Sequence, residues 1–220
     1  VKPFKPPTPV VTNTLMALCV LVQAAVTIVG GDFGLRLEFA AGLIPARIAA
    51  AWHGGPDALP AMFTFITHMF LHAGWLHLGL NILFLAWVGR HVEWVTGRWA
   101  LVALFIAGGI VGGVLQVVTS LGSTAPIVGA SGAIAAVFGA YAVLFANSRV
   151  QPRHVLGITI SGETLLALWY AATWIGLQLL TGLVFNIGTA GGQIAIWTHI
   201  GGFVTGLLAG RIWGRGPQPY

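Results

Sequence analysis

Gly129-Ala130-Ser131-Gly132-Ala133-Ile134-Ala135-Ala136-Val137-Phe138-Gly139-Ala140-Tyr141-Ala142-Val143-Leu144-Phe145-Ala146 is the stretch from which the rest of the chain can be read. From Ala130 to Ala146 it carries no charge and is apolar for long enough to enter a bilayer. It is short for a span, so the helix it predicts starts below the membrane surface, and Pro126 just ahead suits a helix entry. Ser131 stands at its head. A serine between glycines is ordinary in a soluble loop. Inside a membrane, a polar side chain marks a functional site by default.

Composition supports the membrane reading. Charged residues make up 7% of the chain, against roughly 25% in a soluble domain. Hydrophobic residues make up 57% and mean hydropathy is +0.89. A soluble chain of this length could not bury so much apolar surface, so the class is an all-α polytopic membrane protein. Ten Lys and Arg face five acids, which sets the pI near 10.2. These cations are scattered between apolar runs, so they read as topology signals and contacts to membrane lipids, not as a nucleic-acid surface. Cys19 is the only cysteine, which excludes an internal disulfide.

Six spans are predicted: Val10–Gly30, Trp75–Val95, Trp99–Thr119, Ala130–Ala146, Thr164–Phe185 and Ile194–Trp213. They form one membrane domain over residues 10–214. A Pro- and Lys-rich tail, 1–9, precedes it and a short tail, 215–220, follows. Val10–Gly30 is too long for the apolar core of a cleaved signal. The long connection Gly31–Thr67 holds Phe39, Leu43, Ile44 and Trp52, and is expected to rest in the membrane interface. With the N-terminus cytoplasmic, Lys2, Lys5, Arg90, Arg98, Arg149, Arg153, Arg211 and Arg215 all lie inside, and only Arg36 and Arg47 outside. The positive-inside rule therefore puts both termini in the cytoplasm. Spans two, four and six then start at the outer face. His77, Ser131 and His199 sit near those outer ends, at one depth in the outer leaflet.

Shared depth gives these residues a chemistry. Serine is a weak nucleophile until a base takes its proton, and histidine is the usual base. Gly202, Gly206 and Gly210 follow His199 on one helix face, and Ala135, Gly139 and Ala142 follow Ser131 on another. Such small-residue faces let backbones approach closely, with Gly129 and Gly132 beside the serine. Packed together, they bring Ser131 to His199. His77 and Asn81, one turn apart, and the Ser131 amide at a helix N-terminus can donate to a developing oxyanion. Asp32, Glu38 and Asp57 lie in the first long connection, and Glu93 and Glu163 fall at the cytoplasmic side. The expected site is a Ser–His dyad, with no metal or other cofactor.

H-x-x-x-N at His77–Asn81, G-x-S-G at Gly129–Gly132 and H-x-x-G-x-x-x-G at His199–Gly206 together resemble the rhomboid intramembrane serine proteases. The resemblance covers spans two to six. It implies a six-helix bundle, Ser131 as nucleophile, His199 as base, and an oxyanion site from His77, Asn81 and the Ser131 amide. It implies transmembrane protein substrates with a single span, cut near the outer membrane face, in a setting such as a bacterial inner membrane. It also makes the fifth span and the loop Asn186–Gln193 a gate and cap. Two departures stand out. Phe63-Thr64 occupies the place of a frequent Trp-Arg pair. Ala135 occupies the place, four residues after the serine, of an aromatic that stacks on the histidine. Orientation of His199 must then come from another group, such as Phe138 or a neighbouring helix.

Blander readings apply elsewhere. His68 and His72 could join His77 on a metal, but no carboxylate or thiolate lies at that depth, so they are expected to line a wet entrance or cap span two. Gly108, Gly109, Gly112 and Gly113 read as helix packing. Trp75, Trp94 and Trp99 read as interface anchors. The rival functions are a catalytically inactive rhomboid-like protein that binds or routes membrane clients, and a small transporter or metal-binding membrane protein. No internal repeat supports the transporter.

Overall fold

The first long helix, α1 (Val10–Val29), begins directly after Pro9, with no residue of its own N-terminal turn capping it. A carboxylate 81 residues away does so instead. Glu93 accepts the Val11 and Thr12 backbone N–H groups, both at 2.9 Å, and the Thr12 hydroxyl at 2.7 Å. A negative charge at these orphan donors is favoured by the helix dipole. The structure, a computed structural model, describes residues 8–52, 54, 57–145, 151–155, 157–162, 164–166, 168–170, 172–174, 176 and 195–213.

Three short helices fill the first long connection: α2 (Phe33–Ala41), α3 (Pro45–Ala51) and α4 (Ala58–Thr67). A 3-10 turn, His68–Phe70, leads to α5 (Trp75–Phe84). A π turn over Leu85–Gly89 carries α5 into α6 (Arg90–Thr96). The remaining long elements are α7 (Arg98–Thr119), α8 (Ser131–Leu144) and α9 (Ile196–Trp213). Five of the helices expected from apolar runs thus appear, with ends that agree to about two residues. The expected fifth span is helical at the described residues between 164 and 176. Its remainder, the loop Asn186–Gln193 and most of both tails lie outside the described residues.

By length and composition, α1 and α7 are apolar enough to cross a membrane. The pair Ala58–Phe70 and Trp75–Thr96 passes that test jointly but bends by 77°. α8 is apolar and 14 residues long. The expectation of an all-α chain needs one correction. Arg153–Val155 (β1) pairs antiparallel with Ile158–Ile160 (β2) in the connection after α8. Gly157, at φ +80, lies in the turn between the two short strands.

α8 is the centre of the molecule. From Gly132 to Ala140 every residue is buried, which is the mark of a helix surrounded by protein on all sides. α9 closes on α8, and α7 on α9, with backbone against backbone. A Cβ on Gly202 would strike the Gly132 carbonyl, and one on Gly206 the Ala136 carbonyl. A Cβ on Gly139 would strike the Phe203 carbonyl, and one on Gly112 the Thr198 carbonyl. Lipid gives helices no hydrophobic reason to associate, so close van der Waals contact of this kind holds a bundle together. Gly108 and Gly109 lie against Ala136 and Met69, and Gly113 against Leu43 and Phe65. The four glycines of α7 therefore pack, as expected.

The first connection departs from its expected interfacial role in part. Phe39 and Trp52 are exposed, but Leu43 and Ile44 are buried. Leu43 forms a small second core with Ile48, Ala61 and Val117. The cause is a two-way bridge: Leu43 N–H donates to the Ile127 carbonyl at 3.0 Å, and Ile127 N–H returns a bond at 2.9 Å. Arg47 fastens the same region, donating to the Phe39 and Gly42 carbonyls at 2.8 Å. The connection is thus tied to the loop that leads into Ser131.

Candidate active site

Ser131 is the first residue of α8 and His199 lies in the first turn of α9. The close packing of these helices sets the two side chains together. Ser131 Oγ and His199 Nε2 are 2.7 Å apart, a short hydrogen bond between groups separated by 68 residues. With the imidazole proton on Nδ1, Nε2 accepts from the hydroxyl. The start of α9 is held from α7: Gln116 Oε1 accepts the Trp197 N–H at 3.2 Å. The sequence does not single out Gln116. Its only signal is a polar side chain near the end of an apolar run.

Gly129 shapes the space beside Ser131. Its φ is +125°, a region that an L side chain rarely adopts. Its N–H donates to the His68 carbonyl at 2.9 Å. A Cβ here would lie 2.8 Å from His77 Cε1, 2.9 Å from His77 Nε2 and 3.7 Å from Ser131 Oγ. Glycine therefore leaves open a point within reach of both side chains. That point also lies by the N-terminus of α8, where backbone N–H groups lack helical partners. Asn81 is buried on α5, and its amide donates to the His77 carbonyl at 2.8 Å. An amide nitrogen carries a second hydrogen, so this bond leaves a donor on the same side chain.

Of the two expected sources of a ring for His199, Phe138 or a neighbouring helix, the structure has the second. Phe138 packs on Trp174 and on Phe203, at centroid distances of 5.5 and 6.1 Å. The ring beside His199 is Trp174, at 6.3 Å and 77° between planes. Ala135 is fully buried and offers no ring. Trp174 is one of nine tryptophans, and nothing in the local sequence distinguishes it.

His68 and His72 also depart from expectation. They are 1% and 5% exposed, so they do not line an open entrance. His68 Nδ1 pairs with the Thr64 carbonyl at 2.8 Å, while His72 packs edge-on to His77 at 5.2 Å. The α4 turn folds them inward because the chain bends before α5. Among the described residues, no cluster of three or more His, Cys, Asp or Glu could hold a metal ion. Glu93 is committed to the start of α1, and Asp32 to Arg36 at 2.8 Å. What the arrangement can do is move a proton from a hydroxyl to an imidazole, with the His77 ring close beside it.

The sequence profile of the Rhomboid domain matches residues 60–216. The chain belongs to the rhomboid family. This rhomboid chain is 27% identical to Rhomboid protease GlpG of Enterobacter sp. over 196 residues, which cover 89% of the chain and 60% of that relative. It is 29% identical to Rhomboid-related protein 3 of Homo sapiens over 136 residues, 62% of the chain and 31% of the relative. It is 30% identical to Rhomboid protease GluP of Bacillus subtilis over 144 residues, 66% of the chain and 24% of the relative. The rhomboid chain thus spans less than two thirds of the length of these curated relatives. The profile begins within α4 and takes in α5 to α9, so it contains His77, Asn81, Ser131 and His199. Rhomboid relatives include membrane serine proteases, and the apolar helices of this chain suit a membrane protein.

Proposed function

We propose that this protein is an intramembrane serine endopeptidase that cuts single-span membrane proteins near the outer face of the membrane. The observation that carries the reading is the 2.7 Å contact between Ser131 Oγ and His199 Nε2. His199 takes the hydroxyl proton as Oγ attacks the scissile carbonyl carbon. The carbonyl oxygen becomes an oxyanion in the space that Gly129 leaves open. His77, Asn81 and the Ser131 amide stabilise it there, and donors fixed before the reaction cost no reorganisation. His199 then gives its proton to the leaving nitrogen, the C–N bond breaks, and an ester on Ser131 remains. Water, deprotonated by His199, attacks that ester, and the proton returns to Ser131 Oγ as the acid leaves. Gly132, Gly202 and Gly206 serve by keeping α8 and α9 close.

In this reading α1, α5 with α6, α7, α8, the helical segment at 164–176 and α9 are six spans of one domain, residues 10–214. Both termini face the cytoplasm, as in a bacterial inner membrane, and no metal or other cofactor takes part. Eight of the ten basic residues on one side support that orientation. The test is labelling of detergent-solubilised protein with a fluorophosphonate probe, beside cleavage of a transmembrane reporter. Label should sit on Ser131 and require His199. Ser131→Ala and His199→Ala should each abolish reporter cleavage in well-folded protein. Cleavage that survives Ser131→Ala would overturn the nucleophile, and a wild-type protein that neither labels nor cleaves would leave the client-binding alternative.

A further inference from the structure

We infer that Trp174 is a positioning residue for His199, so that the fifth helical segment, not α8, sets the angle of the base. The inference rests on the proposed Ser–His mechanism. A dyad without an acid must hold its imidazole by packing, and four residues after Ser131 there is only the methyl of Ala135. Trp174 supplies a ring instead, meeting His199 nearly at right angles. It cannot turn freely. It is 2% exposed, with Phe84 of α5 edge-on at 4.8 Å and 83°. Phe138 of α8 lies on it at 5.5 Å. Trp174 therefore joins three helices at one point, and His199 leans on that point. Tyr170, one turn earlier, packs on Phe138 at 5.6 Å and keeps the same face of the segment against α8.

The indole N–H has no hydrogen-bond partner among the described residues, although it is buried. The hold on His199 is thus made by the ring and not by the nitrogen. That distinction gives the test. Trp174→Phe keeps an aromatic wall without the N–H, whereas Trp174→Leu and Trp174→Met fill the box without a ring. A misplaced catalytic group can cost about 100-fold in rate. The ringless variants should lose roughly 10- to 100-fold in kcat and in the rate of fluorophosphonate labelling, with KM changed by less than about 3-fold. Trp174→Phe should return both rates to within about 3-fold of wild type. A purely structural ring would lower the folded fraction and leave turnover per folded molecule intact. Wild-type turnover in either well-folded ringless variant overturns the positioning role, and so does a Trp174→Phe variant as slow as Trp174→Leu. Failure of both ringless variants to fold also overturns it, because the ring would then serve folding. Absence of label on wild-type Ser131 would instead overturn the protease reading itself.

Discussion

At the scale of single residues, the site is built from side chains that are costly in a membrane and therefore conspicuous. Ser131, His199, His77 and Asn81 were legible because each interrupts an apolar run. Asn81 offers the sharpest test of role. Its amide already donates to the His77 carbonyl, so Asn81→Ala removes one intrahelical bond together with the oxyanion donor of the proposed mechanism. Loss of one such donor typically costs about 100- to 1000-fold in kcat. His77 and the Ser131 amide remain, so a fall of roughly 10- to 1000-fold is expected, with KM little changed. Thermal stability should drop by no more than one such hydrogen bond contributes, about 0.5–1.5 kcal/mol. kcat and melting temperature measured on one preparation decide the matter; a large melting loss at unchanged kcat would remove Asn81 from the site. Gln116 and Trp174 were not legible. Both act on residues far away in sequence, and an aromatic or a glutamine near a span end is commonplace until its neighbour is known.

At the scale of elements, small residues do what large ones do in soluble cores. α8 and α9 touch through backbone, and the tolerance of each glycine follows from what faces it. Gly206→Ala drives a methyl into the Ala136 carbonyl on a neighbouring helix. Backbone cannot yield as a side-chain tip does, so the expected loss is about 1–3 kcal/mol or more. The displaced α9 should also move His199 from Ser131 and lower labelling per folded molecule. At Gly79, in α5, an added methyl would meet nothing within 4 Å. Gly79→Ala should be neutral or stabilise by up to roughly 1 kcal/mol, through helix propensity alone. Denaturation of both variants in one detergent gives the comparison, and equal losses would discard the packing argument. The helices were readable because apolar runs announce them. α2, α3, α4 and the β1–β2 hairpin were not, because short elements between spans owe their form to partners such as Ile127 rather than to their own pattern.

At the scale of the whole molecule, orientation is a matter of charge and is open to a direct measurement. Single cysteines placed in Asn186–Gln193 of a Cys19→Ser variant should react with an impermeant thiol reagent from outside the cell. Those in Asn147–Glu163 should react only after permeabilisation. The reverse pattern would set the candidate site at the cytoplasmic face and end the proposed orientation. The long apolar helices could be read from hydropathy, whereas the attachment of α1 could not, since a lone acid near the end of an apolar run gives no hint of its partner. That attachment has a consequence in time. Thr12 is made 81 residues before the Glu93 that caps it. At about 5–20 residues per second, the first helix waits roughly 4–16 s for its carboxylate. During synthesis the Val11 and Thr12 amides therefore lack their acceptor until α6 arrives. Nascent chains arrested before residue 93 leaves the ribosome should leave a Val11→Cys thiol reactive. Chains arrested well beyond it should protect that thiol, and in a Glu93→Leu background the protection should fail to develop.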